Sequence, residues 1–150
     1  MQSLIALIIV CGSIIMLSML AGNLSMFMDL YSILFLTLFT HSSTVIAFGS
    51  HSLFKSIKGL GYLFASDISQ SPANQFLSVI LKKQVLFVYA GSFIGALIGC
   101  IAIFSSAKAI ASDEIFYSAM AVNVLIILYA GVLAECVFRP LAIKLENREL

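Results

Sequence analysis

Charge is the scarcest commodity in this sequence. Only 10% of its 150 residues are Asp, Glu, Lys or Arg, against 61% hydrophobic, and the mean hydropathy is +1.11. A soluble domain carries roughly 25% charged residues, so this chain cannot clothe itself for water. It makes one compact unit whose surface faces lipid or other helices. The formal net charge of +1 also argues against nucleic acid as a partner.

Residues that carry chemistry are equally sparse. Cys11, Cys100 and Cys136 lie in apolar stretches and match no metal or redox spacing, so they read as small packing residues. Besides His41 and His51 there is no histidine, and there is no triad, metal-ligand cluster, phosphate loop or paired-cysteine motif. Ordinary hydrolytic or redox catalysis has little to work with. Neither an enzyme nor a cofactor is expected. No Lys or Arg precedes Lys55, so the apolar N-terminal stretch lacks the basic start of a secretory signal and reads as a retained helix.

What is present is a set of four long apolar stretches, residues 4–21, 30–48, 85–107 and 115–138. About 20 helical residues cross a hydrocarbon core. The expected fold is therefore all-α: an integral membrane protein with four transmembrane helices in a single domain over 1–150. Lys55, Lys58, Lys82 and Lys83 lie between the second and third stretches, Arg139, Lys144 and Arg148 follow the fourth, and only Lys108 lies elsewhere. The positive-inside rule then puts both termini, the connection 49–84 and the tail 139–150 in the cytoplasm.

Local signals mark the helix ends. Ser71-Pro72 reads as a cap and first-turn proline, which would start the third helix well before residue 85. Ser112-Asp113-Glu114 offers a capping hydroxyl and two acids at the start of the fourth. Arg139-Pro140 marks its inner end or a kink. Leu53, Ile57, Leu60 and Phe64 recur at helical spacing with Lys55 and Lys58 opposite. That pattern describes a basic amphipathic helix on the inner leaflet, or a straight continuation of the second helix.

Polar and small residues within the spans are the candidates for function. Gly91, Gly95 and Gly99 form two overlapping small-xxx-small motifs that let another helix approach closely. The second span carries Thr37, Thr40, His41, Ser42, Ser43 and Thr44; these hydroxyls either bond back to their own helix or line buried contacts or a hydrated path. His41 reads either as a neutral, hydrogen-bonded core residue or as a proton relay. Asn123 shares a helical face with Ile127, Ala130 and Ala134, a face expected to look toward another helix. Glu135 precedes Arg139 by four residues, the favourable order for an intrahelical ion pair; the alternative is a direct part in ion passage.

Two segments, and with them the run Gly91 to Gly99, which resembles a glycine-rich third helix, are similar to a known family. Phe27-Met28-Asp29-Leu30-Tyr31-Ser32-Ile33-Leu34 resembles the F-I-D-x-P-S-hydrophobic start of the second helix in MotA-type flagellar stator subunits. Thr40 then falls on the threonine of that family's Gly-Gly-Thr, Leu53–Lys58 on its basic segment, and Gly22-Asn23-Leu24-Ser25 on its first outer loop. Met120-Ala121-Val122-Asn123-Val124-Leu125 through Leu128-Tyr129, then Ala134 to Ala142 and Lys144-Leu145-Glu146, resembles M-A-V-A-L…L-Y-G…A-N-x-x-F-x-P-x-A-x-K-L-E. The chain is identified as a member of the MotA/TolQ/ExbB proton-channel superfamily, closest to MotA. It departs from the pattern in three ways: the large cytoplasmic insert is missing, family threonines become Ala96 and Ile127, and the family's Asn becomes Glu135.

The resemblance implies a pentameric ring in the bacterial inner membrane around a MotB-like single-helix partner whose aspartate carries the ion, a proton rather than sodium. It also implies that Ala96 and Ile127 line the ion route. Thr40, Asn123 and His41 would supply the polar contacts to ion or partner. Two rival expectations stand beside this one. A non-conducting scaffold or assembly subunit would keep the ring without the ion path. A small four-helix transporter would need a membrane-embedded acid, and Glu135 lies too near the interface.

Overall fold

The computed structural model describes residues 2–22, 27–64 and 71–146. Asn23, Leu24, Ser25 and Arg148 lie outside the described residues. The described chain is helical, with no strand among the described residues. Helices α1 (Gln2–Ala21), α2 (Leu30–Phe48), α3 (Ser50–Gly59), α4 (Pro72–Ser105), α5 (Ala107–Ala111), α6 (Asp113–Val132) and α7 (Arg139–Glu146) follow one another. A short 3₁₀ turn spans Leu60–Leu63, and a π-helical segment, Leu133–Phe138, joins α6 to α7. Among the described residues, three helices are long and apolar enough to cross a membrane: α2, α4 and the continuous run Asp113–Glu146. This is a membrane protein by the length and composition of its helices.

The ends of these helices follow from local chemistry. Asp29 caps α2, its carboxylate accepting from the Tyr31 amide at 3.1 Å and from the Ser32 hydroxyl. Ser71 caps α4 by accepting from the Asn74 amide at 3.3 Å, and Pro72 occupies the first turn. The third apolar stretch thus belongs to a helix of 34 residues that starts far ahead of Val85. Ser112 holds the N-cap position of α6 but its hydroxyl makes no capping bond, so Asp113 and Glu114 in the first turn are what complement the dipole there.

Pro140 does not end the last helix. A proline cannot donate to the carbonyl four residues back, and its ring crowds that carbonyl. Here the wide π turn over Leu133–Phe138 precedes it, and the helix runs on to Glu146.

Gly49 decides the course of the connection. Its φ of +82° is a conformation that glycine adopts without strain, and it breaks the chain between α2 and α3. The straight continuation of the second helix is therefore excluded. α3 then packs by its small residues: Ser52, Ser56 and Gly59 are buried while Phe54, Ile57 and Phe64 are exposed. Gly59 sits so close to Leu77 of α4 that a Cβ would lie 2.5 Å from its Cδ2.

The core gathers at the end of the bundle that α3 covers. Leu36, Leu77, Leu81, Val85, Val88, Ala130, Ala134, Phe138, Leu141 and Leu145 form one buried cluster, with Leu60 and Leu63 packed against it. The described side chains of α1 remain mostly uncovered, from Ile8 and Ile9 to Leu17 and Leu20.

Candidate functional site

The polar residues of α2 sort themselves by which bond each can reach. Thr37 donates to the Ile33 carbonyl at 2.8 Å and Thr44 to the Thr40 carbonyl at 2.7 Å, the economical solution for a hydroxyl on a membrane helix. His41 holds Nδ1 at 2.6 Å from the Thr37 carbonyl. A carbonyl only accepts, so Nδ1 carries the proton and Nε2 is the ring's remaining polar atom.

From Thr44 a chain of side chains crosses the bundle. Ser56 of α3 donates to Gln84 Oε1 of α4 at 2.8 Å, and Gln84 Nε2 donates to Thr44 Oγ1 at 3.1 Å. All three are buried, Gln84 to 1% exposure. Each polar side-chain atom of this chain makes at least one hydrogen bond, which is what a buried polar group needs in lipid. Nearby, Ser78 donates to the Ala142 carbonyl at 2.8 Å and ties α4 to α7. Beside the chain lies a cavity of about 120 Å³, lined by Thr37, Thr40, His41 and Ser56 together with apolar residues of α4 and the π segment.

The glycine face of α4 meets two helices rather than one. A Cβ on Gly91 would strike the Phe39 ring at 2.7 Å, one on Gly95 would lie 2.3 Å from Ile126 Cδ1 and 3.0 Å from Phe35, and one on Gly99 would fall on the Asn123 amide. The face therefore turns from α2 to α6 along its length. Asn123 uses this proximity: Nδ2 donates to the Ala96 carbonyl at 3.1 Å and lies 3.2 Å from Cys100 Sγ. Ala96 contributes its backbone, not its methyl, to that contact.

Ile127 does not share the Asn123 face. It is 51% exposed and lies in an apolar groove with Ile14 of α1, Gly131 and Cys136. The face of α6 and the π segment that meets the bundle runs through Asn123, Ile126, Ala130 and Ala134. Ile127 stands about 40° round the helix from Asn123, on the side away from Ile126 and Ala130, and there it is exposed.

Glu135 and Arg139 form the intrahelical pair at 2.7 Å, both roughly half exposed. Tyr89 of α4 adds a hydrogen bond to Glu135 Oε1 at 2.7 Å. The exposed pair Lys82–Glu146, 2.6 Å apart, links α4 to the end of α7. The structure thus brings Thr40 and His41 to one cavity. It ties Asn123 to Ala96 nearer the α5 end, sets Ile127 apart, and holds Glu135 and Arg139 on an exposed face.

Sequence reasoning missed Gln84, Ser56, Tyr89 and Tyr129. Gln84 follows Lys82-Lys83 and reads as one more interfacial polar residue; nothing linear links it to Ser56. Tyr129 hydrogen-bonds the Phe27 carbonyl through its hydroxyl, which also accepts from the Asp29 amide at 2.8 Å. The two segments that carry the resemblance, Phe27–Leu34 and the stretch through Leu128-Tyr129, are therefore joined in space. No protein-family model matches the chain, and no curated protein matches it.

Proposed function

We propose that this chain is a ring-forming subunit of a stator-like ion channel, with four transmembrane helices and both termini in the cytoplasm. A MotB-like single-helix partner supplies the ion-binding aspartate. The observation that carries the reading is the meeting of the segments that resemble the family: Tyr129 with Phe27 and Asp29, and the glycine face with Phe35, Phe39 and Asn123. Segments that match one family pattern in sequence and contact one another support a common design.

Two further features agree with it. Within the three long helices only 17% to 28% of the most apolar window is buried, leaving broad faces for lipid, for copies of the same chain or for a partner helix. Glu135, the one acid well within the long last helix, is committed to Arg139 and Tyr89, which agrees with an ion-carrying carboxylate supplied by another protein.

Asn123 favours a second reading. Its amide is already bonded between α6 and α4, and Ile127 puts no hydroxyl on a neighbouring face. These contacts suit a non-conducting assembly subunit that keeps the ring and has lost the ion path. Proton flux into vesicles containing the chain and a co-purified single-helix partner separates the two. Partner-dependent flux that is lost when the partner's aspartate becomes asparagine supports the channel. A ring of pentamer mass with no flux supports the assembly subunit. A purified chain that forms no ring sinks both. The orientation is tested with Gln75→Cys: an impermeant thiol reagent should reach it only from the cytoplasmic side.

A further inference from the structure

Thr40 breaks the rule that its neighbours on α2 follow. Thr37 and Thr44 both bond back to their own helix, whereas the Thr40 hydroxyl has no hydrogen-bond partner in the protein. The residue is 2% exposed, and its hydroxyl is the one buried side-chain polar atom so placed among the described residues. It lines the 120 Å³ cavity together with Ser56 and His41.

We infer that this cavity is a water-binding site, and that the bound water joins the Thr40 hydroxyl and His41 to the Ser56–Gln84–Thr44 chain. The hydrogen-bond inventory selects the ligand. Ser56 has spent its proton on Gln84 and offers the cavity only lone pairs, as does Nε2 of a neutral His41 whose Nδ1 proton is on the Thr37 carbonyl. Thr40 can donate as well as accept. A ligand matched to that set brings two donors and accepts one bond, which water does and an anion or an acyl chain does not. Leaving a hydroxyl unsatisfied in an apolar interior is costly, and buried waters are held where two to four polar groups converge. At about 30 Å³ per molecule the cavity takes roughly four waters. The site lies where α3, α2 and the π segment meet, so hydration there holds α3 to the bundle through polar contacts. The inference is independent of whether the ring conducts.

The test is proton-detected solid-state NMR of the full chain in lipid bilayers, reading magnetisation transfer from water. Transfer is expected at Thr40, His41 and Ser56 and not at Leu81 or Leu141, which are fully buried in the core but do not line this space. In Thr40→Val, which keeps the shape and removes the hydroxyl, transfer at all three sites should be lost; in Thr40→Ser it should persist. Absence of transfer in the wild type overturns the proposal. Undiminished transfer in a folded Thr40→Val also overturns it, because water would then be held without Thr40. Should Thr40→Val not fold, xenon provides the independent measurement on the wild type: a hydrated cavity excludes it, and xenon bound between Thr40 and Phe138 overturns the proposal.

Discussion

The two ends of the bundle are held together by different means. At the α3 end, bulky residues interdigitate: apart from Ile103, every buried residue of α4 lies between Leu77 and Ser92, and the Ser56–Gln84–Thr44 chain runs among them. At the α5 end, α2, α4 and α6 approach through glycine and alanine, yet a groove of about 490 Å³ opens between them, lined by Phe35, Gly95, Gly99, Ala102 and Ala119. Small residues therefore permit close backbones without filling the space beside them. In lipid, where apolar burial gives no driving force between helices, the filled and hydrogen-bonded end is the anchor. The small-residue end is the one left with an open groove.

Gly95→Leu should break the comparison most severely. Its side chain would meet Ile126 and Phe35 at once, and overpacking of this kind costs about 2 to 3 kcal/mol. Gly131→Leu is the control, since nothing lies within 4 Å of a Cβ there. Unfolding in mixed micelles should separate the two variants, and ring mass should fall for the first alone. An unchanged Gly95→Leu would mean that the α5 end repacks freely.

Gln84→Leu comes next. It leaves the Ser56 hydroxyl without its acceptor and Thr44 without its donor. The expected loss is about 1 to 2 kcal/mol, with faster hydrogen exchange in α3, because Ser56 is what Gln84 holds. Protection in α3 that stays at the wild-type level would show that the packing of Gly59 against Leu77 suffices.

Asn123→Leu probes the other end through its one interhelical amide. The bond to the Ala96 carbonyl is worth about 0.6 kcal/mol on the average for membrane proteins, so assembly should survive. If the channel reading holds and the amide faces the ion, flux should vanish while the ring persists. Flux that survives removes Asn123 from the ion path.

Glu135→Gln should do least. The carboxylate is about 41% exposed, and ion pairs that see solvent contribute about 0 to 1 kcal/mol. Tyr89 can still donate to the amide oxygen. A large loss would place this face against another chain, where the pair is shielded.

Legibility followed how local each cause was. Ser71-Pro72 and the Glu135–Arg139 pair depend on residues within one turn, and both were readable; Asp29 entered only through the family resemblance, and its capping bond came from the structure. The connection was only half readable. Leu53, Ile57 and Phe64 read as the apolar stripe of an amphipathic helix laid on the inner leaflet, and α3 does turn Phe54 and Ile57 outward. What the spacing did not show is that Ser52, Ser56 and Gly59 are the side that packs on the bundle, because their partners Leu77 and Gln84 lie on another helix. Asn123 and Ile127 failed for a related reason. Four residues apart reads as one face, yet the α6 interface follows Ile126 and Ala130, whose positions depend on where Gly95 and Gly99 let α4 come.

Composition and short-range pattern determined that this chain is helical, belongs in a membrane, and starts helices at Ser71-Pro72 and Asp113-Glu114, because hydration cost, capping and the helix dipole act over one turn. The tertiary structure decided which hydroxyls find partners. Thr37 and Thr44 satisfy themselves along their own helix. Gln84 needs both α3 and α2, and Thr40 is left to face a cavity that exists only where α2, α3, α4 and the π segment converge.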